Sequence, residues 1–250
     1  MMFWFWRRKK YKYLSYGETH QGKVRDHNED AFLDKNEQGL WVIADGAGGH
    51  DAGEVASQML VDALKKTEIS TKLDTAMEDI QRCIEAVNKE LIRLSGGVDS
   101  KRMIASTLCI LLVRQQSCVC FWSGDSRIYR LRDQALKLLT RDHNRVDEFI
   151  DAGFSPAAAE KHPMAQQLVN AIGVKEPLYL EKKQYDLQEN DRFLLCSDGL
   201  YKELSEQDML SIISDQTVDK GVRALMAKTM KRGARDNVSS LLVHISRMQQ

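Results

Sequence analysis

The sequence is poor in proline and in any feature that marks a domain boundary. Only three prolines occur among 250 residues, and internal repeats, low-complexity tracts and Pro/Gly/Ser-rich linkers are absent. The formal net charge is zero, which excludes a global field that would draw the chain to nucleic acid or to anionic lipid. A chain of this length without an internal boundary predicts one large domain with a substantial core.

Cysteine is scarce, and its pattern indicates neither disulfides nor a zinc site. The five cysteines are odd in number, show no CxxC pair and lie mostly inside apolar runs; they are Cys83, Cys109, Cys118, Cys120 and Cys196. This usage is typical of reduced core residues, and we expect a cytoplasmic protein.

A long apolar run is also missing, even at the aromatic N-terminus. Residues 1–6 are hydrophobic and residues 7–10 are all basic. The stretch is too short for a spanning helix of roughly 20 residues, and a signal peptide would put its charges first. We interpret residues 1–13 as an extension and residues 14–250 as the folded domain. A weak membrane or partner contact of the extension is the less favoured alternative.

Short strands and amphipathic helices come in runs and not in strict alternation. Apolar segments predict strands at 13–19, 31–34, 40–44, 107–113, 118–123, 127–131, 178–185, 192–196 and 238–245. The three strands within 107–131 are predicted to form one meander. Helical periodicity follows Ala52, recurs over 77–91 and returns within 206–231, while the polar, alanine-rich residues 144–171 predict a helical insertion. This order favours an α+β fold of antiparallel sheets with helices outside.

Four aspartates lie at or near the ends of these apolar strands. They are Asp45, Asp125, Asp198 and Asp236. A carboxylate beside a hydrophobic strand is costly unless something neutralises it, and an all-oxygen set suits Mg²⁺ or Mn²⁺ better than zinc. A single Asp-Gly pair usually belongs to a turn or a helix cap. Four aspartates at strand ends in one domain, however, predict a cation site.

Two further segments fit the binding of phosphate beside such cations. The planar guanidinium of Arg25 can bind two phosphate oxygens together, although an exposed arginine beside acids on a loop is the plainer alternative. The loop 45–50 has three glycines before a helix, which would let the Gly46 carbonyl reach a metal. A phosphate cradle is the alternative for this loop, but neither GxGxxG nor a P-loop ending is present.

Five motifs resemble, in order and spacing, the type 2C metal-dependent serine/threonine protein phosphatases of compact bacterial type. They are Arg25-x-x-Asn28-Glu29-Asp30-Ala31, Asp45-Gly46-x-Gly48-Gly49-His50, Gly124-Asp125-Ser126-Arg127, Ser197-Asp198-Gly199-Leu200 and Asp236-Asn237. The resemblance extends from about Gly17 to Ile245. It implies a four-layer α-β-β-α sandwich of two antiparallel sheets, with the metals at one end of the sheets.

The resemblance also implies which residues hold the cations. Asp45 would bridge two Mn²⁺ or Mg²⁺ ions, and the Gly46 carbonyl would bind the first. Asp198 and Asp236 would hold the second ion. Asp125, with Asp198, matches a third-ion site.

The same resemblance implies roles around the cations. Glu29 and Asp30 would act mostly through metal-bound waters, and Arg25 would hold the phosphate. Residues 144–171 would form a flap that helps select substrates.

The implied activity is hydrolysis of phosphoserine and phosphothreonine in proteins. Two divalent ions would lower the pKa of a bridging water that attacks phosphorus in line, without a covalent phosphoenzyme. Ala47 stands where some members carry a histidine proposed as general acid, so the leaving oxygen would be protonated by water or by a neighbour such as His50. Bacterial relatives usually oppose a Ser/Thr kinase, in signalling or in control of a secretion apparatus. We expect a monomer, since no interface signal is visible.

Two alternatives come from other functional classes. A phosphoprotein-binding pseudophosphatase would keep the fold without turnover, but such proteins commonly lose an aspartate and this set is intact. A nucleotide phosphodiesterase lacks support, because there is no histidine-rich metal set and no basic patch interleaved with aromatics beyond the first 13 residues.

Overall fold

The computed structural model describes residues 11–48, 52–98, 100 and 102–247. The strands are β1 (Tyr11–His20), β2 (Asp30–Lys35), β3 (Leu40–Gly48), β4 (Ile104–Ser106), β5 (Leu108–Arg114), β6 (Ser117–Ser123), β7 (Arg127–Arg132), β8 (Ala135–Leu138), β9 (Glu181–Asp186), β10 (Arg192–Cys196) and β11 (Val238–Arg247). The helices are α1 (Ala52–Lys66), α2 (Leu73–Ser95), α3 (Val146–Asp151), α4 (Pro156–Lys161), α5 (Asp198–Tyr201), α6 (Glu206–Ile213) and α7 (Val218–Arg232).

The strands form two antiparallel sheets. One sheet has the order β1-β11-β10-β7-β8, and the other has the order β2-β3-β5-β6-β9, with β4 paired to the end of β3. The inner faces of the two sheets share one core, in which Trp41 and Leu111 of the second sheet pack with Phe193 and Leu241 of the first. The apolar faces of the two sheets are therefore buried against each other.

Helices cover the outer face of each sheet. The long helices α1 and α2 contribute Leu60 and Ile84 to a core on the β3 side, and α7 contributes Leu225 to a third core behind β10 and β11. In β3 the side chains alternate between two cores, with Val42 in the outer one and Ile43 between the sheets. Burial on both faces explains why this strand is apolar at successive positions. The predicted four-layer α-β-β-α sandwich is confirmed.

The fold corrects three local predictions. The predicted meander within 107–131 is wrong, because β5 and β6 belong to one sheet and β7 to the other. The chain changes sheet at Gly124, whose φ of 102° lies in the left-handed region. The segment 45–48, predicted as part of a loop, continues β3 and pairs with β4. On α1 the apolar periodicity that follows Ala52 would put Val55 on the core face, but Val55 is 46% exposed, because the buried face is rotated toward Ala56.

Residues 144–171 contain the helices α3 and α4, inserted between the edge strands β8 and β9. Phe149 packs on the His162 ring with 4.5 Å between ring centroids. A bridge between Asn144 and Leu168 closes the base of the insertion. The insertion therefore has a small core of its own.

Among all the residues that the structure describes, no helix is long and apolar enough to cross a membrane.

Candidate metal centre

The second sheet brings two carboxylates together at one end. Asp45 on β3 pairs in register with Asp30 on β2. The Asp45 backbone is fixed by Thr107, whose hydroxyl accepts from Asp45 N at 3.2 Å and whose N–H donates to Asp45 O at 2.8 Å. The Thr107 hydroxyl also contacts Ser126 Oγ at 2.7 Å, which ties Asp45 to the turn that carries Asp125.

The first sheet brings two more carboxylates to the same end. Asp198 follows the last residues of β10, and Asp236 precedes β11, its antiparallel neighbour. The end of one strand and the start of the other lie at one edge of the sheet. The N–H of Ser197 donates to Ser239 O at 3.1 Å, which joins the two strand ends.

Asp45 of the second sheet lines a common cavity of about 350 Å³ with Asp198 and Asp236 of the first. Its lining contains almost all of the predicted site residues, together with Ala47, Gly48, two residues of the insertion and the side chains of Thr107, Lys202 and Asn237. The full set is Arg25, Glu29, Asp45, Gly46, Ala47, Gly48, Thr107, Asp125, Gln166, Leu168, Asp198, Lys202, Asp236 and Asn237. The structure thus brings Asp45, Asp125, Asp198 and Asp236 together. His50, named as a proton donor, lies outside the described residues.

Asp30 is the one predicted site residue that does not line the cavity. It is buried between the sheets, and its Oδ2 accepts from Ser197 Oγ at 2.7 Å. Its Oδ1 is buried and has no hydrogen-bond partner in the described part of the chain. Burial raises the pKa of Asp30 to about 7, against the lowering effect of hydrogen bonds from Ser197 and Ser239. An unsatisfied buried carboxylate oxygen beside the cavity can accept a hydrogen bond from a water molecule.

The lining carboxylates repel one another. Burial raises the pKa of Asp45, and the charges of Asp30 and Asp198 raise it further. Burial also raises the pKa of Asp125 to about 7, with Asp198 adding to the effect and Lys202 opposing it. Buried carboxylates at one site favour the binding of cations, because a bound cation offsets the repulsion between the negative charges.

Two basic side chains reach these carboxylates. Arg25 is half exposed and forms a two-point ion pair, with Nε 2.9 Å from Asp236 Oδ1 and Nη2 2.9 Å from Asp236 Oδ2. This bond raises the pKa of Arg25. Lys202 pairs with Asp198 one helical turn away. Arg25 therefore lies at the carboxylate cluster with its guanidinium at the cavity.

Gly46 permits a close approach that a larger residue would block. A Cβ at this position would lie 2.1 Å from Gly53 O and 2.7 Å from Glu29 O. The Gly46 N–H donates to Glu29 O at 3.0 Å. The glycine is thus required where β3, the start of α1 and the Glu29 segment meet.

Three lining residues were missed by the sequence reasoning. Asn237 was quoted only as part of a motif, yet its amide joins the segment 21–29 to β11. Thr107 fell inside a predicted strand, and the structure places it at the break between β4 and β5. Lys202 was not considered, although its spacing of four residues from Asp198 would have placed it on the same helical face.

The described residues contain no group of three or more His, Cys, Asp or Glu side chains that could by themselves hold a metal ion in this arrangement. Two of the four lining aspartates are instead paired with Arg25 and Lys202. Mg²⁺ and Mn²⁺ suit such a site, because Mg²⁺ usually keeps several waters and takes only one or two carboxylates.

Comparison with known proteins agrees with this fold. The family model described as Protein phosphatase 2C matches residues 17–242. The chain is 34% identical over 241 residues to the serine/threonine phosphatase stp of Listeria innocua, covering 93% of this chain and 96% of the relative.

Solved structures show the same likeness. PppA, described as a key regulatory component of T6SS in Pseudomonas aeruginosa, superposes with a TM-score of 0.86 at 37% identity, covering 93% of this chain and 97% of that one. The catalytic domain of the serine threonine protein phosphatase PstP in complex with 2 manganese ions gives a TM-score of 0.80 at 26% identity, covering 95% of this chain and 100% of that one.

Fold, site and comparisons together define a hydrolase that acts on phosphorylated proteins. The chain belongs to the protein phosphatase 2C family. Its activity is that of a metal-dependent serine/threonine protein phosphatase.

Proposed function

We propose that this protein hydrolyses phosphoserine and phosphothreonine side chains at the cavity between the two sheet ends, with two Mn²⁺ or Mg²⁺ ions held there. Asp45 would bridge the ions, the Gly46 carbonyl would bind the first, and Asp198 and Asp236 would hold the second. The observation that carries the proposal is the convergence of these carboxylates, from both sheets, on one cavity.

When bound, the ions would lower the pKa of a water and offset the negative charge of the phosphoryl group. The protein's own residues would orient the phosphoryl group at the cavity. Arg25 would exchange part of its contact with Asp236 for two phosphate oxygens, because its guanidinium is already at the cavity. Glu29 and Asp30 would act through water, and the unsatisfied Oδ1 of Asp30 supports this role.

No residue of the described site is assigned as general acid. Ala47 lines the cavity and has no proton to donate. The leaving seryl or threonyl oxygen would then be protonated by water.

The insertion supplies part of the wall around the reacting phosphate. Gln166 and Leu168 line the carboxylate cavity, and Glu160 and Lys161 line a neighbouring cavity of about 520 Å³. These contacts support the proposal that residues 144–171 act as a substrate-selecting flap.

The substrates would be proteins phosphorylated by a Ser/Thr kinase, and the enzyme would act as a cytoplasmic monomer. All five cysteines are free, and four of them are buried, which suits a reducing compartment. A membrane contact through the N-terminus would fall on residues 1–10, which lie outside the described part.

Hydrolysis of a phosphothreonine peptide by the purified protein tests the proposal. Turnover with Mn²⁺ should be lost in EDTA and in Asp198→Asn, whereas the exposed-loop control Asp215→Asn should keep it. A cyclic dinucleotide should not be hydrolysed. A folded protein that shows no turnover with any metal would instead be a phosphoprotein-binding pseudophosphatase.

A further inference from the structure

Lys202 places a positive charge inside the cluster where a third cation was expected. The family resemblance implies that Asp125 and Asp198 share this ion. In the structure the Lys202 ammonium forms an ion pair with Asp198 Oδ2. Lys202, Asp125 and Asp198 all line the same cavity.

The local backbone fixes this arrangement. The short helix α5 begins at Asp198, and Lys202 N donates to Asp198 O at 2.9 Å. Residues four apart on a helix face each other, so the lysine side chain extends along the face that carries the aspartate. Tyr201 ties the same turn to the opposite loop, because its hydroxyl donates to Asp125 O at 3.1 Å.

The charge of Lys202 acts on the whole cluster and not on Asp198 alone. The carboxylates of Asp198, Asp125 and Asp45 all attract the Lys202 ammonium, which offsets part of the repulsion between Asp125 and Asp198. The Lys202 side chain is 44% exposed, so its ion pair with Asp198 adds little to the stability of the fold. The charge of Lys202 instead affects which cations can bind in the cavity.

We propose that the Lys202 ammonium takes the place of the third divalent ion, so that this phosphatase binds two ions and carries the third positive charge on its own chain. The inference rests on the proposed function, because it assumes the two-ion centre. A fixed ammonium beside Asp125 and Asp198 repels a further cation and occupies one oxygen of Asp198. Lys202 is a positioning residue that supplies a positive charge beside the two ions. Because this charge belongs to the chain, a chelator cannot remove it.

Counting bound Mn²⁺ by equilibrium dialysis and elemental analysis tests the proposal without relying on activity. At free Mn²⁺ that saturates the first two sites, the wild type should bind two ions per chain. Lys202→Gln and Lys202→Asp should each bind a third, at least about tenfold tighter than the wild type does, because a repelling charge is gone. Lys161→Gln, which alters a lysine of the neighbouring cavity, should still bind two.

A double variant locates the added ion. Lys202→Asp combined with Asp125→Asn should return to two ions, and circular dichroism should show every variant folded. Three ions in the wild type, or two in both Lys202 variants, would overturn the inference and leave the two-ion centre intact. A wild type that binds no Mn²⁺ would overturn the metal centre itself, together with the inference.

Discussion

At the scale of single residues, Asn237 joins parts of the site that are distant in sequence. Its Oδ1 accepts from Glu29 N at 2.9 Å, and its Nδ2 donates to Gln21 O and His27 O, each at 2.8 Å. The residue is only 5% exposed. Asn237 therefore fixes the segment that carries Arg25 against the start of β11, beside Asp236.

Replacing Asn237 should loosen this segment. Asn237→Ala would leave three backbone groups without their partner, and we expect the free energy of unfolding to fall by about 2 kcal/mol. The KM for a phosphopeptide should rise more than kcat falls, because Arg25 loses its support. Urea unfolding and steady-state kinetics measure both effects. Asn28→Ala, which removes an exposed bond to Thr19 and a bond of 3.3 Å from Asp30 N, serves as the control, and an equal loss in both variants would refute this role.

At the scale of elements, α6 begins with a capping box. Ser205 Oγ accepts from Asp208 N at 3.2 Å, and Asp208 Oδ2 accepts from Ser205 N at 3.0 Å. Asp208 also pairs with Lys228 and Arg232 of α7, and these bonds lower its pKa. The start of α6 thereby also attaches α7 to the outer layer.

Ser205→Ala should destabilise the protein by about 1 kcal/mol, the usual cost of losing a serine cap. Thermal or urea unfolding measures this. Ser211→Ala, a change of the same kind on the exposed side of α6, should stay within about 0.5 kcal/mol of the wild type. Equal effects of the two substitutions would show that the cap has no special role.

The base of the insertion depends on a buried neutral histidine. His143 Nδ1 accepts from Gly124 N at 3.2 Å and from Asn170 Nδ2 at 2.9 Å, and its Nε2 lies 3.2 Å from Glu181 Oε1. Burial lowers the pKa of His143, outweighing Glu181, and Lys175 lowers it further. The neutral ring is therefore the form that holds the insertion to the β6–β7 turn.

This environment predicts a pH dependence of stability. Because the folded pKa lies below the unfolded value of about 6.5, His143 adds stability above that pH and loses it as the pH falls toward the folded pKa. His143→Gln should be less stable than the wild type at about pH 7.5, with a smaller difference at about pH 5.5. Urea unfolding at both pH values measures this, with the exposed His20→Gln as control. A difference that does not change with pH would contradict the assignment.

The sequence predicted elements well where a pattern is local. The strand 192–196 has the same bounds in the structure, because an apolar run between polar residues needs no distant partner to be recognised. The change of sheet at Gly124 was missed, since strand periodicity does not say which sheet a strand joins. Lys202 was missed for a related reason: its contact depends on a four-residue helix that has too little sequence to show a period.

At the scale of the whole molecule, the two sheets must stay together for the site to exist. Asp45 comes from one sheet, and Asp198 and Asp236 come from the ends of strands in the other. Cations bound between them would therefore link the sheets. No local pattern places residues that are 191 positions apart, as 45 and 236 are, at one site. The set of strand-end aspartates predicted a cation site, and the resemblance implied which ion each of them would hold.

Mn²⁺ should accordingly stabilise the folded protein. At a free ion concentration of about 100 times the Kd, one site contributes roughly 2.7 kcal/mol. Thermal unfolding should shift upward with Mn²⁺ and return to the starting value with EDTA. Asp198→Asn should show a much smaller shift, whereas Asp215→Asn should behave as the wild type. An equal shift in both variants would place the ions elsewhere.

The most direct test of the central claim is an anomalous difference map from crystals of the protein grown in Mn²⁺. The account predicts two peaks in the cavity between the sheet ends, the first beside Asp45 and the Gly46 carbonyl and the second beside Asp198 and Asp236. Mn²⁺ peaks only at other places on the surface, in crystals of active enzyme, would contradict it.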